Sequence, residues 1–337
     1  MKNRILILFI LVVLCGSVSL VQSQDRKLAQ TGMKFLNVGS NAQATGMADA
    51  ITSLEGQSVS MFYNPAAMAR QKSFVDVFIG QTQWIADINH NFASIAFSPE
   101  NGDYGVIGVT LQFVDYGEFL GTVRANNTQG FINTGTFSPS ATAFGIGYSK
   151  ALSDRFSIGG NIKTVRQDLG SSITNVDNLG VQTQKGNALS VLVFDFGMLY
   201  RTGFHSLNFG VSVRNFSKEV KYQEEEFQLP LIFKIGLSMN VIDLTNLDRE
   251  MHALTVSVDA THPRDYPEQI NLGGEYLFMK SLAIRGGYMF NNDEYGYTLG
   301  LGVQQEFSGI HLGVDYSYMP FGVFSDVHRI SFQISLK

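Results

Sequence analysis

Seven ionisable residues, Arg166, Arg214, Asp259, Glu275, Arg285, Asp315 and Arg329, interrupt runs in which apolar side chains recur at every second position. Successive side chains of an extended chain point to opposite faces, so each of these charges is expected on the face turned away from the apolar one. Acids and bases gathered on one enclosed face can pair with each other, anchor a polar segment, or bind the polar head of a ligand. Mutual pairing is the leading expectation, because ionisable groups at membrane depth first need a partner. Catalysis finds no support. There is no Gly-x-Ser-x-Gly elbow, His-Glu-x-x-His pair or phosphate loop, and Gly300-Leu301-Gly302 lacks the third glycine of a dinucleotide fingerprint. The histidines His90, His205, His252, His262, His311 and His328 show no metal-ligand spacing. Glu224-Glu225-Glu226 reads as a solvated loop face. No catalytic residue, metal or cofactor is expected.

The elements that position these charges are strands. From Phe74 onward the dominant period is two, with turn residues between the segments. One face carries rows such as Ile107, Val109, Leu111 and Phe113, or Ile330, Phe332, Ile334 and Leu336; the other carries Gly, Ser, Thr, Asn and charge. A soluble sandwich alternates in this way, and so does a transmembrane barrel turned inside out. Two features favour the barrel. Fourteen strand centres can be placed, near 77, 94, 109, 145, 161, 194, 211, 235, 257, 273, 285, 300, 314 and 332, and an even number closes with both ends on one side. Connections also alternate in length. Short ones (100–103, 153–155, 202–205, 280–281, 308–309) face longer polar or aromatic ones such as 118–139, 168–187 and 218–229. This asymmetry puts both termini in the periplasm. One connection, 243–252, is long on the short side, where a short helical turn is expected. Aromatics gather at strand ends, as at Tyr276 and Phe278, Tyr288 and Phe290, Tyr295 and Tyr297, Tyr316, Tyr318 and Phe321, where a girdle meets the headgroups.

The ends of the chain and its composition agree. Lys2 and Arg4 precede an apolar run from Ile5 to Leu14, so residues 1–23 read as an export signal, too short for a bilayer span of about 20 residues. The single cysteine, Cys15, lies inside that signal, which leaves no thiol chemistry for the mature chain. Charged residues make up 16% of the chain against a usual ~25%, so much of the surface is expected to face lipid of an outer membrane. The net charge of -5, without a Lys/Arg cluster, argues against nucleic acid as a partner.

Residues 24–72 are different: rich in Ala, Gly, Ser and Met, with helix-tolerant stretches over 42–53 and 58–62. Small residues let a backbone pack closely against a wall, and a wide barrel leaves a lumen to plug. Pro65 pushes Asn64 out of helical dihedrals, so Asn64-Pro65 reads as a forced stop and a turn towards the first strand. The arrangement Gly46-Met47-Ala48-x-Ala50, then Asn64-Pro65-Ala66 with Met68 and Ala69, resembles the N-terminal hatch signature of FadL-like outer-membrane proteins. The preceding stretch from Gly32 to Met47 is similar to the PorV/PorQ branch found in Bacteroidetes-type bacteria. Two departures stand out: Gly56 and Gln57 occupy the place of an acidic residue, and the chain ends in Leu336-Lys337 instead of an aromatic residue.

The expected fold is therefore all-β: a 14-stranded antiparallel transmembrane β-barrel over 73–337, with a small hatch inside its lumen. The resemblance to PorV/PorQ implies an accessory role in type IX protein secretion, with secreted cargo proteins and other secretion components as partners. The FadL resemblance implies the alternative, uptake of long-chain fatty acids or another hydrophobic small molecule. Either role belongs in the outer membrane of a Gram-negative, Bacteroidetes-like cell.

Overall fold

The computed structural model describes residues 31–176, 182–292 and 296–337. The expected signal sequence (1–23), the first residues of the expected hatch (24–30) and Tyr295 lie outside the described residues. Alternating sequence becomes eighteen strands: β1 (Val75–Gln83), β2 (Asn89–Phe97), β3 (Val106–Asp115), β4 (Phe119–Arg124), β5 (Phe131–Phe137), β6 (Ser140–Ala151), β7 (Phe156–Val176), β8 (Gln182–Arg201), β9 (Asn208–Phe216), β10 (Val220–Lys221), β11 (Glu226–Phe227), β12 (Ile232–Asn240), β13 (His252–Pro263), β14 (Gln269–Phe278), β15 (Leu282–Phe290), β16 (Tyr297–Phe307), β17 (Ile310–Met319) and β18 (Val327–Leu336). Fourteen of them close into one antiparallel barrel in the order β1-β18-β17-β16-β15-β14-β13-β12-β9-β8-β7-β6-β3-β2. Each expected strand centre falls within one of these fourteen. The seam is a full antiparallel ladder, from Val75↔Leu336 to Gln83↔His328, so no barrel edge is left to pair elsewhere.

Period two settles which face meets what. The apolar rows point outward and stay accessible, with Ile79, Ile284 and Leu301 each more than half exposed. The described helices include none long and apolar enough to cross a membrane. Tyr288, Phe290, Tyr297 and Tyr316 stand outward at strand ends, as a girdle requires. Phe321 does not: it turns in and packs edge-on against Trp84, with ring centroids 5.0 Å apart.

The long-connection end carries more sheet than its polar sequence suggested. The 118–139 connection holds the β4–β5 hairpin, and 218–229 holds the short β10–β11 pair. Residues 168–176 and 182–187 of the expected 168–187 loop are instead a continuation of β7 and β8, which stay paired past the barrel through two register shifts, and 177–181 lie outside the described residues. A ribbon that rises clear of the wall is wetted on both faces, so it carries no apolar row for a pattern reading to find. At the opposite end, the expected helical turn is a 3-10 turn, Val241–Leu244, in which Asn240 accepts the Ile242 N–H.

Before β1 the chain forms four short helical pieces, Lys34–Asn37, Ala42–Gly46, Ser58–Phe62 and Pro65–Arg70, packed against the inward faces of the strands. The helical stretch expected over 42–53 stops at Gly46, and Ala48 and Asp49 take left-handed dihedrals. Bonds to the wall replace those of a longer helix: the Ala48 N–H donates to Thr298 Oγ1 and the Ala48 carbonyl accepts from Asn271. Asn64-Pro65, expected as a stop, also starts a helix. Pro65 is its first residue, and Asn64 caps it by accepting the Ala66 N–H. Around the first helical piece the inward face is apolar: Met33, Phe35 and Leu36 bury against Val114, Val165 and Val193.

Candidate functional site

The two halves of the small-residue motif dock on opposite walls. The helix around Gly46 and Met47 touches β15, β16, β17 and β18, whereas the helix opened by Asn64, Pro65 and Ala66 touches β6, β7 and β8. In the ring of fourteen, β16 and β7 stand diametrically opposite. Contact is close because the facing wall residues are glycines. A Cβ on Gly197 would lie 1.9 Å from Asn64 Oδ1, and one on Gly159 would lie 2.6 Å from the Ala66 nitrogen. Across the lumen, a Cβ on Gly273 would meet the Met47 carbonyl oxygen at 2.5 Å, and Gly46 sits directly on Gly300. Asn64 joins the halves: its Nδ2 donates to the Thr52 carbonyl at 2.7 Å and to the Met198 carbonyl on the wall at 3.1 Å.

Six of the seven expected charges face inward. Glu275, Arg285 and Asp315 form one cluster, with Arg285 Nε 2.5 Å from Glu275 Oε2 and Arg285 Nη1 2.6 Å from Asp315 Oδ1. Gln43 of the segment donates to the same Glu275 oxygen at 3.0 Å. Asp259, fully buried, accepts from both the N–H and the hydroxyl of Thr52. Arg329 reaches towards the Gly39 carbonyl and lies over the Trp84 ring. Arg214 donates to the Leu36 carbonyl at 3.3 Å and lies over the ring of Tyr63. So most of these groups hold the N-terminal segment to the wall, and one triad pairs within the wall.

Arg166 is the correction. It shares its face with Ile158 and Ile162, on the outside of the barrel, and pairs with the exposed Asp168 at 3.1 Å. At that height β7 is leaving the lipid, so a charge is tolerated outside, while the inward position goes to Val165 beneath the segment. The same strand carries an inward cation that the pattern reading passed over, Lys163, 2.8 Å from Asp195 of β8. Asp76, Lys234 and Asp265 were missed as well. Asp76 accepts from Ser58, Gln333 and Ser335, and so ties the segment to the β1–β18 seam. Parity would have found four of them: Asp76, Lys163, Asp195 and Lys234 each sit between outward neighbours on their strands.

Removing the shared cation of the triad leaves two acids facing each other in a low-dielectric wall. Arg285→Leu is expected to destabilise the barrel by about 3–5 kcal/mol, the usual cost of an uncompensated buried charge. The midpoint of urea unfolding in lipid vesicles measures this, with Arg285→Lys losing less; an unchanged midpoint for the leucine variant would refute it.

Between the segment and the long-connection end lies a cavity of about 480 Å³. Its walls include Phe35, Tyr63, Trp84, Tyr116, Arg214 and Lys234. A second cavity of about 210 Å³ lies on the other side of the segment, bordered by Gln43, Leu54, Glu55, Asn64, Thr255 and Glu275. Among the described residues Tyr63 alone borders both. Its hydroxyl accepts the Ser40 and Asn41 N–H groups, each at 3.0 Å. Burial, then the nearby Asp49 carboxylate, push the Tyr63 phenol up to about 12. Nothing in the sequence marks this tyrosine as a divider.

Comparison with known proteins adds what geometry does not carry. The model of a family described as type IX secretion system membrane protein PorP/SprF matches residues 57–337. The match takes in Asn64, Pro65, Ala66 and the whole barrel, and starts after Gly46 and Met47. No curated protein matches the chain in sequence. Among solved structures, the Ralstonia pickettii toluene transporter TbuX is similar at a TM-score of 0.57 and 10% identity, over 89% of this chain and 99% of that one. The Pseudomonas putida toluene transporter TodX is similar at 0.55 and 12%, over 88% and 97%. A Pseudomonas aeruginosa FadL homologue is similar at 0.52 and 12%, over 88% and 98%. At such identities the likeness is one of fold. The expected type IX setting is met under the PorP/SprF description, not the PorV/PorQ one, and the expected 14-stranded barrel shares its fold with these structures.

Proposed function

Because the chain belongs to the PorP/SprF family of type IX secretion system membrane proteins, we propose that it receives or shuttles secreted cargo at the outer membrane and presents it for surface attachment. The family match over 57–337 is the observation that carries this reading. In this reading both termini lie in the periplasm and the long connections, including the β4–β5 hairpin and the β7–β8 ribbon, form an outer docking surface. Residues 1–23 are the export signal and 24–72 a plug. The plug role is supported by the contacts of Gly46, Asn64 and Ala66 with glycines on facing walls. The similarity of the stretch from Gly32 to Met47 to PorV/PorQ sequences points to a Bacteroidetes-type host.

A second reading, a channel for hydrophobic small molecules, is favoured by the FadL-like fold and the aromatic-lined cavity of about 480 Å³. One experiment separates the two. In a deletion strain, cargo held back in the cells and missing from the culture-supernatant proteome, with normal uptake of labelled long-chain fatty acid, is the expected result. Normal secretion with lost uptake would overturn the secretion role in favour of transport.

A further inference from the structure

The larger cavity has an unusual charge inventory. Lys34 is paired with the buried Asp265. Lys234 stands 4.0 Å from Asp259 Oδ2 and donates to the Asp49 backbone carbonyl. One cation and one carboxylate remain. Arg214, 9% exposed, has no carboxylate within ion-pair distance among the described residues; it touches the Leu36 carbonyl and the Tyr63 ring. The Asp49 side chain has no cation within that distance either, and its Oδ1 is buried without a hydrogen-bond partner. Both residues border the cavity.

Neutral polar groups there are unpartnered too. His90 Nδ1, Thr261 Oγ1 and Asn271 Oδ1 make no hydrogen bond, although these residues are only 2%, 5% and 1% exposed. All three border the same space. Buried polar groups are normally satisfied, and a buried charge without a partner is the costliest case. Four polar groups without a hydrogen-bond partner and one guanidinium without a carboxylate partner around one cavity describe the complement of a ligand.

We propose that this cavity binds a small zwitterion carrying a flat ring, the chemistry of an aromatic amino acid. Its carboxylate meets Arg214 in a fork of N–H donors. Its ammonium meets Asp49, and Asn271 Oδ1 offers a further acceptor. The ring lies among Tyr63, Trp84, Tyr116 and Tyr266. A pure hydrocarbon would leave the charges dry and unpaired, and a simple anion would leave Asp49 uncompensated. The volume falls inside the usual range of roughly 300–1,000 Å³ for small-molecule sites. Such a site is independent of cargo handling and serves the barrel under either reading of its role.

The test uses a built-in reporter, since Trp84 is the only tryptophan of the chain and borders the cavity. The full chain in detergent micelles is titrated with L-phenylalanine, phenylacetate, phenethylamine and toluene while Trp84 emission is followed. L-Phenylalanine is expected to change the emission saturably and at lower concentration than any of the others. Arg214→Gln should weaken L-phenylalanine and phenylacetate about tenfold or more and spare phenethylamine. Asp49→Asn should weaken L-phenylalanine and phenethylamine to the same degree and spare phenylacetate. Heat-modifiable migration in gels confirms that each variant is a folded barrel. The absence of a saturable response to L-phenylalanine, tighter binding of toluene, or equal weakening of both single-charge probes by both variants would each overturn the assignment.

Discussion

Replacing Tyr63 by alanine is expected to give a barrel that passes a steady ion current in planar lipid bilayers, at a level well above that of the unmodified chain. Among the described residues Tyr63 alone borders both the cavity of about 480 Å³ and that of about 210 Å³, which puts it between the two. The ring is 5% exposed and held from two directions, by Arg214 over its face and by the Ser40 and Asn41 N–H groups on its hydroxyl. Alanine removes the ring and leaves two amide donors that water can satisfy, which favours a wetted path over collapse. Tyr63→Phe keeps the partition and loses only the hydroxyl, so it should stay closed. Equal currents from Tyr63→Ala and the parent would show that the partition lies elsewhere. The phenol also sets a pH limit. Its ordinary value is 10.0 and its folded value about 12, so the folded state holds the proton more tightly. The contribution of Tyr63 to stability is therefore complete below about pH 10 and is lost as pH rises to about 12.

Valines at Gly159 and Gly197 together should free the segment from its wall while leaving the barrel closed. Their side chains would enter the space occupied by Asn64 Oδ1 and the Pro65–Ala66 peptide, where an added Cβ already lies at 1.9–2.6 Å. Overpacking of this kind costs about 1–3 kcal/mol per site, and the segment is the part with freedom to move, since each strand is locked by two ladders. Chymotrypsin cutting at the buried Tyr63 reads the release; the rate is expected to rise roughly tenfold or more, in proportion to the opened population. Gly160→Val is the control, because its nearest neighbour is 3.5 Å away and it faces outward. Unchanged cleavage in the double variant, with heat-modifiable migration retained, would mean that the glycine contacts do not hold the segment.

How much of this was legible beforehand divides along a physical line. Alternation is a local property, set by the pleat of an extended chain, so the strands, their lipid-facing rows and the inward placement of Arg214, Asp259, Glu275, Arg285, Asp315 and Arg329 could be read from neighbouring residues alone. Arg166 escaped that logic because its side of β7 changes environment where the strand leaves the membrane, and a charge there no longer reports which face it is on. The paired extensions over 168–176 and 182–187 escaped it because a ribbon wetted on both faces has no apolar row.

By itself, then, the amino-acid order determined the number of barrel strands, the inside and outside of the wall, and a small-residue segment fit to lie against it. Only the closed tertiary structure decided who meets whom. Glu275 and Arg285 become cross-strand neighbours through β14–β15 register, and Asp315 reaches the same guanidinium from β17. Tyr63 becomes a partition, and Arg214 and Asp49 border one cavity, because a segment threads a ring whose seam joins Val75 to Leu336. Period two reports direction and says nothing about distance, and these contacts join residues far apart along the chain.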